Sequence, residues 1–334
     1  MIPAIFGLSG PALTPDETAL FRAADPAGFI LFARNCVDPA QLAALTASLR
    51  DLMGRDLPIL IDQEGGRVAR LRLPHWPDFP AAARFGELYA KAPLSATQAC
   101  HQNGLALAAC LRAAGINVDC VPVLDVPAPD EHGIIGDRAY AADPMWIAAM
   151  GGATLDGLHA GGVCGVIKHL PGHGRARADS HLELPVVVAS RAELETDLAP
   201  FRTLAAKARM GMTAHVTYTA LDPARCASLS PVVIAGTIRR DIGFDGLLMS
   251  DDLGMKALTG PMGERAAAVV EAGCDLALYC WDSLAEMEAI AAALPAMSAF
   301  AAARLARALD GLSALPIPDF ARATAHRDAL LAQT

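Results

Sequence analysis

The stretch Gly165-Val166-Ile167-Lys168-His169 shows the pattern that decides the fold. It is a short apolar run that ends in ionisable residues, and similar runs recur along the chain. Runs of this kind are apolar enough to be buried on both faces, as the strands of a parallel sheet are. The predicted strands are Ile2–Gly7, Gly28–Phe32, Pro58–Asp62, Ile116–Val123, Gly165–His169, Gly211–His215, Gly246–Ser250 and Asp275–Tyr279.

The segments between these strands have helical periodicity and clear helix starts. Thr14-Pro15-Asp16-Glu17 and Ser190-Arg191-Ala192-Glu193 are typical capping boxes, and Asp143-Pro144 places proline at a first helical position. The alternation favours a barrel over an open doubly wound sheet, since no Gly-x-Gly-x-x-Gly follows the first strand. We therefore predict an α/β protein with a (β/α)8 TIM-type barrel in a single domain. Residues 1–312 would form the barrel, and residues 313–334 a C-terminal helical tail that packs on it or trails from it.

Composition and charge argue against several classes of function. The 334 residues are 53% hydrophobic and carry a formal net charge of −9. No run of lysine or arginine could follow a phosphate backbone, so we expect no nucleic-acid binding. No apolar run reaches the ~18 residues of a membrane span, and the N-terminus lacks the basic segment of a signal peptide. The 8 cysteines include no C-x-x-C pair, which indicates reduced thiols and a cytoplasmic protein.

In a barrel of this type, functional residues lie at the carboxyl ends of the strands. Any single ionisable residue there could merely cap the next helix or close the barrel mouth. Several predicted strands lead into such residues, however, and together they indicate a functional site at one rim. These residues are Asp62, Asp125, Lys168, His169, His215, Asp251 and Asp252.

The loop Lys168–Glu183 is the most informative segment of the rim. Pro171-Gly172-His173-Gly174 is a turn, and Asp179 stands two residues before His181. A carboxylate beside an imidazole fixes the tautomer of the ring and favours its protonated form. His181 is therefore the candidate proton donor near neutral pH.

The same loop allows a second interpretation, in which His169, His173 and His181 bind zinc. The His-x3-His spacing of the first two suits a metal only on a helix, and a proline and a glycine stand between them. The neighbouring ammonium group of Lys168 would also repel a metal ion. We therefore expect no metal ligands and no cofactor.

A carboxylate at the end of the seventh predicted strand could act as a nucleophile. It could attack the anomeric carbon of a sugar while an acid protonates the departing oxygen, as in retaining double displacement. The pattern leaves open whether Asp251 or Asp252 faces the pocket, because the other could cap a helix. It also leaves open whether Arg70 and Arg138 bind sugar hydroxyls or pair with carboxylates such as Glu64.

Taken together, these motifs resemble those of glycoside hydrolase family 3, specifically its single-domain bacterial β-N-acetylhexosaminidases of peptidoglycan recycling. The most specific part is KHLPGHG at 168–174 followed by DSH at 179–181, which resembles the signature of the N-acetylglucosaminidase branch. The other matching segments are ILFARN at 30–35, IDQEGGRV at 61–68, PVLDV at 122–126, IGDR at 135–138 and SDDL at 250–253.

The resemblance implies a role for each matching residue. Asp251 would be the nucleophile, His181 the proton donor and acceptor, and Asp179 the group that orients and tunes His181. The positions that would bind the non-reducing N-acetylglucosamine unit are Asp62, Arg70, Arg138, Lys168 and His169. The implied protein is a retaining exo-β-N-acetylglucosaminidase acting on small GlcNAc-containing muropeptides, including anhydro forms. It would be a cytoplasmic monomer or weak homodimer with no nucleic-acid or membrane partner.

Three alternatives remain at this point. A β-N-acetylglucosaminide phosphorylase is the first, because a histidine acid repels incoming phosphate less than a carboxylate does. A metal-dependent barrel hydrolase and a non-catalytic sugar-binding protein are the others. Within the loop, Arg175 and Arg177 could contact a carboxylate of the substrate. We expect them simply to be solvated, as most exposed charges are.

Overall fold

The computed structural model describes residues 1–128, 133–180 and 182–333. In this part of the chain, parallel strands close into one barrel in which each strand pairs with its sequence neighbours and the first pairs with the last. The barrel strands are β1 (Ile2–Phe6), β2 (Pro26–Leu31), β3 (Ile59–Ile61), β4 (Val118–Asp119), β5 (Cys164–Leu170), β6 (Met210–Thr213), β7 (Leu247–Asp252) and β8 (Leu276–Tyr279). Each overlaps one predicted strand, so the predicted barrel is confirmed.

The fourth strand is shorter than predicted. The sequence predicted Ile116–Val123, whereas β4 spans only Val118–Asp119. Pro122 has no backbone N–H and cannot donate to the ladder of hydrogen bonds between strands, although its carbonyl accepts one from Lys168 N at 3.2 Å. Pairing resumes as a single parallel bridge between Val123 and Lys168. The chain beyond β4 thus stays hydrogen-bonded to β5 through the carbonyls of Val121 and Pro122 and the N–H of Leu124.

Helices connect the strands and cover the outside of the barrel. The predicted capping boxes are confirmed, because Thr14 accepts a hydrogen bond from Glu17 N and Ser190 accepts one from Glu193 N. Between β6 and β7 the chain forms a π-type helix, Val232–Asp241. The α-helices are α1 (Pro15–Ala24), α2 (Pro39–Met53), α3 (Ala82–Tyr89), α4 (Pro93–Ala113), α5 (Pro144–Ala160), α6 (Arg191–Leu204), α7 (Met262–Ala272), α8 (Leu284–Ala293), α9 (Ala299–Leu309) and α10 (Phe320–Leu331).

The last helix, α10, packs against the barrel's outer helices. Its Arg327 donates a hydrogen bond to Asn103 Oδ1 on α4 at 3.0 Å, and the ring of Phe320 lies edge-on to that of Phe79. The predicted boundary at residue 312 between the barrel and the C-terminal tail stays a prediction. Within the described ranges, no helix has both the length and the apolar character needed to cross a bilayer.

The barrel strands separate two hydrophobic cores. On β7, Leu247 and Met249 belong to the core inside the barrel, whereas Leu248 belongs to the core between the strands and the helices. Successive side chains of a strand point to opposite faces. The register between β7 and β8 shifts after Met249, so this alternation does not extend to Asp251 and Asp252 at the end of β7.

Candidate active site

The carboxyl ends of the strands surround a cavity of about 400 Å³. The cavity gathers side chains that the sequence places far apart, from the ends of β3, β5 and β7 and from the loop that follows β4. Six of the predicted site residues line it, namely Asp62, Arg70, Arg138, Lys168, His169 and Asp251. The barrel therefore brings together the predicted sugar-binding set and the predicted nucleophile.

Lys168 lies at the centre of an ion-pair network in the deep part of the cavity. Only 2% of this residue is exposed, and its Nζ lies 3.0 Å from Asp62 Oδ1 and 2.7 Å from Glu64 Oε1. Arg70 Nη2 lies 3.0 Å from the other oxygen of Asp62. Arg138 donates two hydrogen bonds of 2.8 Å to Glu64, which is the paired geometry that a guanidinium and a carboxylate favour.

These contacts keep the network charged. Burial alone would raise the pKa of Asp62 and of Glu64, but the nearby cations outweigh it. The pKa of Asp62 is held well below its usual value by Lys168 and Arg70, and that of Glu64 is lowered to about 2 by Lys168 and Arg138. Burial disfavours the charged form of Lys168, yet its two carboxylate partners raise its pKa. We call Asp62, Glu64, Arg70, Arg138 and Lys168 the charged network.

Glu64 is the part of this network to which the sequence analysis gave no functional role. It appeared there only as a possible ion-pair partner of the arginines. It stands two residues after Asp62, so an extended chain could direct both carboxylates to the same side. That spacing was the one indication in the sequence that Glu64 could belong to the site. Its partners Arg138 and Lys168 lie 74 and 104 positions further along the chain, too far for a local pattern to reveal them.

Asp125 holds His169 in place beside the charged network. Its Oδ2 lies 2.7 Å from His169 Nδ1, and its Oδ1 accepts the backbone N–H groups of His169 at 3.1 Å and His173 at 2.7 Å. Burial would raise the pKa of Asp125, but the two histidines lower it to about 2. A carboxylate on Nδ1 leaves Nε2 of His169 as the ring nitrogen for a ligand.

The two aspartates at the end of β7 have different surroundings. Both carboxylate oxygens of Asp252 already accept hydrogen bonds from the protein. Oδ1 accepts from Cys280 N and Gly254 N, and Oδ2 accepts from Trp281 Nε1. Within the described part of the chain, the Asp251 carboxylate accepts one hydrogen bond, from Asp252 N at 2.8 Å. The geometry favours Asp251 as the group available to a substrate.

The pKa values of Asp251 and Asp252 are shifted in opposite directions. Burial would raise the pKa of Asp251, but His215 and His169 more than offset it, and the pKa lies below its usual value. Burial raises the pKa of Asp252, and the neighbouring Asp251 raises it further. Asp251 is thus the member of the pair that stays ionised most readily, as a nucleophile must.

The predicted proton unit is described only in part. Asp179 follows the turn after β5, and its carbonyl accepts hydrogen bonds from Leu182 N and Glu183 N. Ser180 is buried, lines the cavity, and accepts a hydrogen bond from Ala257 N through its carbonyl. His181, the predicted proton donor, lies outside the described residues. The pairing of Asp179 with His181 therefore stays a prediction.

The zinc interpretation involves the same loop. The rings of His169 and His173 lie 5.6 Å apart, centroid to centroid, in an edge-on arrangement. Searched over the ranges that the structure describes, the side chains form no group of three or more His, Cys, Asp or Glu able to hold a metal. The third proposed ligand, His181, lies outside those ranges.

The expectation that Arg175 is merely solvated is wrong. Its Nε lies 2.6 Å from Asp197 Oδ2 on α6, and its Nη2 donates to the carbonyl of Glu193. Asp197 is only 2% exposed, so a partner for its charge matters. Nothing in the local sequence signalled this pair, because its members belong to a loop and to the next helix.

We expect Arg175→Ala to lower the free energy of unfolding by about 1–3 kcal/mol near neutral pH, since it leaves a buried carboxylate without its partner. Burial raises the pKa of Asp197 to about 6, even with Arg175 present. Without the arginine this pKa rises further, so the loss should shrink as the pH falls below 6 and Asp197 becomes protonated. Urea unfolding at pH 7.5 and 5.5 measures both effects.

The control for this prediction is the double variant Arg175→Ala, Asp197→Asn. It removes the charge that the single substitution strands, so it should be more stable than Arg175→Ala at pH 7.5 and less sensitive to pH. A single variant as stable as the wild type at both pH values would contradict the structural role of the pair.

His173 predicts a pH dependence of stability. It is 4% exposed, and burial together with His169 lowers its pKa to about 4, against a usual value of 6.5. Between those values the unfolded chain binds a proton that the folded chain does not, so stability falls as the pH is lowered from 6.5 to 4. One pKa unit corresponds to ~1.4 kcal/mol, so this group removes about 3 kcal/mol over that range. Denaturant unfolding of the wild type and of His173→Gln at several pH values measures the contribution of His173 to the free energy of unfolding.

The comparison uses the difference between the two proteins, because other carboxylates also titrate toward pH 4. The wild type should lose more stability than His173→Gln over this range. Parallel pH profiles for the two proteins would show that His173 is protonated as easily in the folded chain as in the unfolded one.

Comparison with known proteins identifies the class to which this site belongs. Residues 13–310 match the family described as "Glycosyl hydrolase family 3 N terminal domain". The chain is 40% identical over 282 residues to a Beta-hexosaminidase of Alkalilimnicola ehrlichii, covering 83% of this chain and 80% of that protein. A Beta-hexosaminidase of Thioalkalivibrio sulfidiphilus is 39% identical, with the same coverage of each chain. The chain belongs to glycosyl hydrolase family 3.

A solved structure supports a narrower statement. NagZ from Neisseria gonorrhoeae, in complex with N-trifluoroacetyl-D-glucosamine, superposes with a TM-score of 0.88 at 32% identity and covers 99% of this chain and 97% of its own. Within the family, the chain is thus a β-N-acetylhexosaminidase, a glycoside hydrolase that cleaves β-linked N-acetylglucosamine. The family and the enzyme class predicted from the sequence are confirmed.

Proposed function

We propose that this enzyme is a retaining exo-β-N-acetylglucosaminidase that removes non-reducing terminal N-acetylglucosamine from peptidoglycan-derived muropeptides and their anhydro forms. The observation that carries the proposal is the position of Asp251. Its carboxylate lines the same cavity as the charged network, its pKa lies below the usual value, and it lacks the hydrogen bonds that hold both oxygens of Asp252. A nucleophile beside a rigid set of hydrogen-bonding groups suits attack on a sugar held at one end.

The charged network would hold the sugar through donors that its internal contacts leave over. A lysine ammonium has three N–H donors, and Asp62 and Glu64 occupy two of those of Lys168. Arg138 uses Nε and Nη2 on Glu64, which leaves Nη1 for a ligand. Because these donors are fixed by ion pairs before substrate binds, little entropy is lost in ordering them.

The reaction would proceed in two displacements. Asp251 attacks the anomeric carbon and forms the glycosyl-enzyme bond, while protonated His181 gives its proton to the departing glycosidic oxygen. Neutral His181 then takes a proton from water, which attacks the same carbon and releases Asp251. Asp179 orients His181 and stabilises its charged form. Two inversions at one carbon leave the sugar with its original configuration.

The setting of the reaction is part of the proposal. The enzyme would act in the cytoplasm, as a monomer or weak homodimer, on small soluble fragments of the cell wall. Residues 1–312 would form the catalytic barrel, with residues 313–334 as its helical tail. No cofactor, nucleic acid or membrane takes part in the proposed reaction.

The test is proton NMR of the first product formed from N-acetylglucosaminyl-β-1,4-anhydromuramyl peptide, with and without phosphate and after exhaustive chelation. We expect the β-anomer of N-acetylglucosamine to appear first, at a rate that phosphate and chelation do not change. An initial α-anomer would exclude retention. Formation of N-acetylglucosamine 1-phosphate would indicate a phosphorylase, and loss of activity on chelation a metal-dependent hydrolase.

A further inference from the structure

A large aromatic side chain lies at the mouth of the cavity and has no role in the mechanism above. Trp281 follows β8, lines the cavity, and is 53% exposed. Indole rings are rich in apolar surface and are usually well buried in folded proteins. A half-exposed indole at the entrance of a binding cavity is an aromatic surface of the kind that lines ligand sites.

Trp281 is held firmly on one side. Its Nε1–H donates to Asp252 Oδ2 at 2.8 Å, and the opposite carboxylate oxygen accepts from the backbone of Cys280 and Gly254. A Cβ on Gly254 would lie 2.1 Å from Nε1 and 2.2 Å from Cδ1 of the indole. The ring thus lies directly against the backbone at Gly254, which only a glycine permits.

This arrangement fixes the orientation of the indole before anything binds. The hydrogen bond and the contact with Gly254 engage the pyrrole edge of the ring, while half of the residue stays open to solvent. A side chain fixed in this way pays little entropy when it contacts a ligand. It can offer a flat apolar surface to a ring-shaped group.

The position of Trp281 separates it from the charged network. In the barrel order, β8 lies next to β7, which carries Asp251, and across the barrel from β4 and β5. The network is deep, with Lys168 only 2% exposed, whereas Trp281 is at the outer rim. A sugar held by the network with its anomeric carbon at Asp251 would direct its leaving group outward, toward the rim.

We propose that Trp281 is a platform on which the sugar ring of the leaving group stacks. The ligand class is a pyranose on the reducing side of the scissile bond, such as a muramyl sugar, whose C–H face covers the open part of the indole. This proposal rests on the proposed function and adds a second subsite to it. Trp281 would thereby select substrates by their leaving group and leave recognition of N-acetylglucosamine to the charged network.

The test separates the ring of Trp281 from its N–H group. Trp281→Phe keeps an aromatic surface and loses the hydrogen bond to Asp252, whereas Trp281→Gln keeps a donor and loses the surface. Calorimetry would measure binding of two probes, N-acetylglucosamine and the non-hydrolysable thio-linked disaccharide of N-acetylglucosamine and N-acetylmuramic acid. Only the second probe reaches the outer rim.

We expect Trp281→Gln to weaken binding of the thio-disaccharide roughly tenfold, as the loss of one good aromatic contact does, and Trp281→Phe to bind it within about threefold of the wild type. Both variants should bind N-acetylglucosamine as the wild type does. The opposite order of the two variants would show that the tryptophan acts only through Asp252. Equal weakening for both probes, or for neither, would also overturn the platform.

The two proposals fail in different ways. If the wild type does not hydrolyse the natural oxygen-linked disaccharide, the proposed function is wrong. If it does, and the two Trp281 variants bind the thio-disaccharide equally well, only the platform is wrong.

Discussion

Asp251→Asn is expected to lower kcat by on the order of 10⁴-fold or more on every β-N-acetylglucosaminide, whatever its leaving group. The amide cannot form the covalent glycosyl-enzyme, and no better leaving group can compensate for a missing nucleophile. Asp251 and its neighbour differ sharply in their contacts, so the matched control is Asp252→Asn. Steady-state kinetics on a natural disaccharide and on the p-nitrophenyl glycoside measure both.

The control should retain far more turnover than Asp251→Asn, although it disturbs the hydrogen bonds to Trp281 and to the backbone after β8. A second measurement distinguishes a lost nucleophile from a misfolded protein. Asp251→Ala supplied with azide should form the α-glycosyl azide in a single displacement. If Asp252→Asn is the inactive variant and Asp251→Asn is active, the two assignments must be exchanged.

His181→Ala is expected to lower turnover of the natural disaccharide by roughly 10²–10⁴-fold, the usual contribution of a positioned acid. Its effect on the first step with p-nitrophenyl N-acetylglucosaminide should be much smaller, because nitrophenolate leaves without a proton. Rapid-quench measurement of the nitrophenol burst separates formation of the glycosyl-enzyme from its hydrolysis.

The histidine control is His326→Ala, an exposed residue on α10 that does not line the cavity. It should have wild-type kinetics on both substrates. A His181→Ala enzyme that cleaves the disaccharide as fast as the wild type would refute its role as the acid. Equal losses on the two substrates would point to a role in binding instead.

Much of the fold followed from local patterns that the structure preserves. Capping boxes at Thr14 and Ser190 are formed by residues three positions apart, so the sequence contains the whole interaction. The barrel strands could be located because buried parallel strands are continuous apolar runs. The predicted strand was too long at β4, because the run Ile116–Val123 gave no sign that regular pairing stops at Asp119.

The site was predictable in its members but not in their contacts. Strand ends identified Asp62, Lys168 and Asp251, because a barrel brings those ends to one rim. The choice between Asp251 and Asp252 required their partners, and Trp281 stands 29 positions from Asp252. The pair of Arg175 with Asp197 was invisible for the same reason, since it depends on how a loop crosses a helix.

The charged network has a consequence for reading the pH–rate profile of this enzyme. With Asp62 and Glu64 held below their usual pKa values and Lys168 and Arg138 raised above theirs, none of the four gains or loses a proton near neutrality. The affinity of these groups for substrate should therefore not change with pH near neutrality. Both limbs of a bell-shaped profile must then come from groups outside these four, among which the reacting acid and nucleophile are the ones that would contact the substrate.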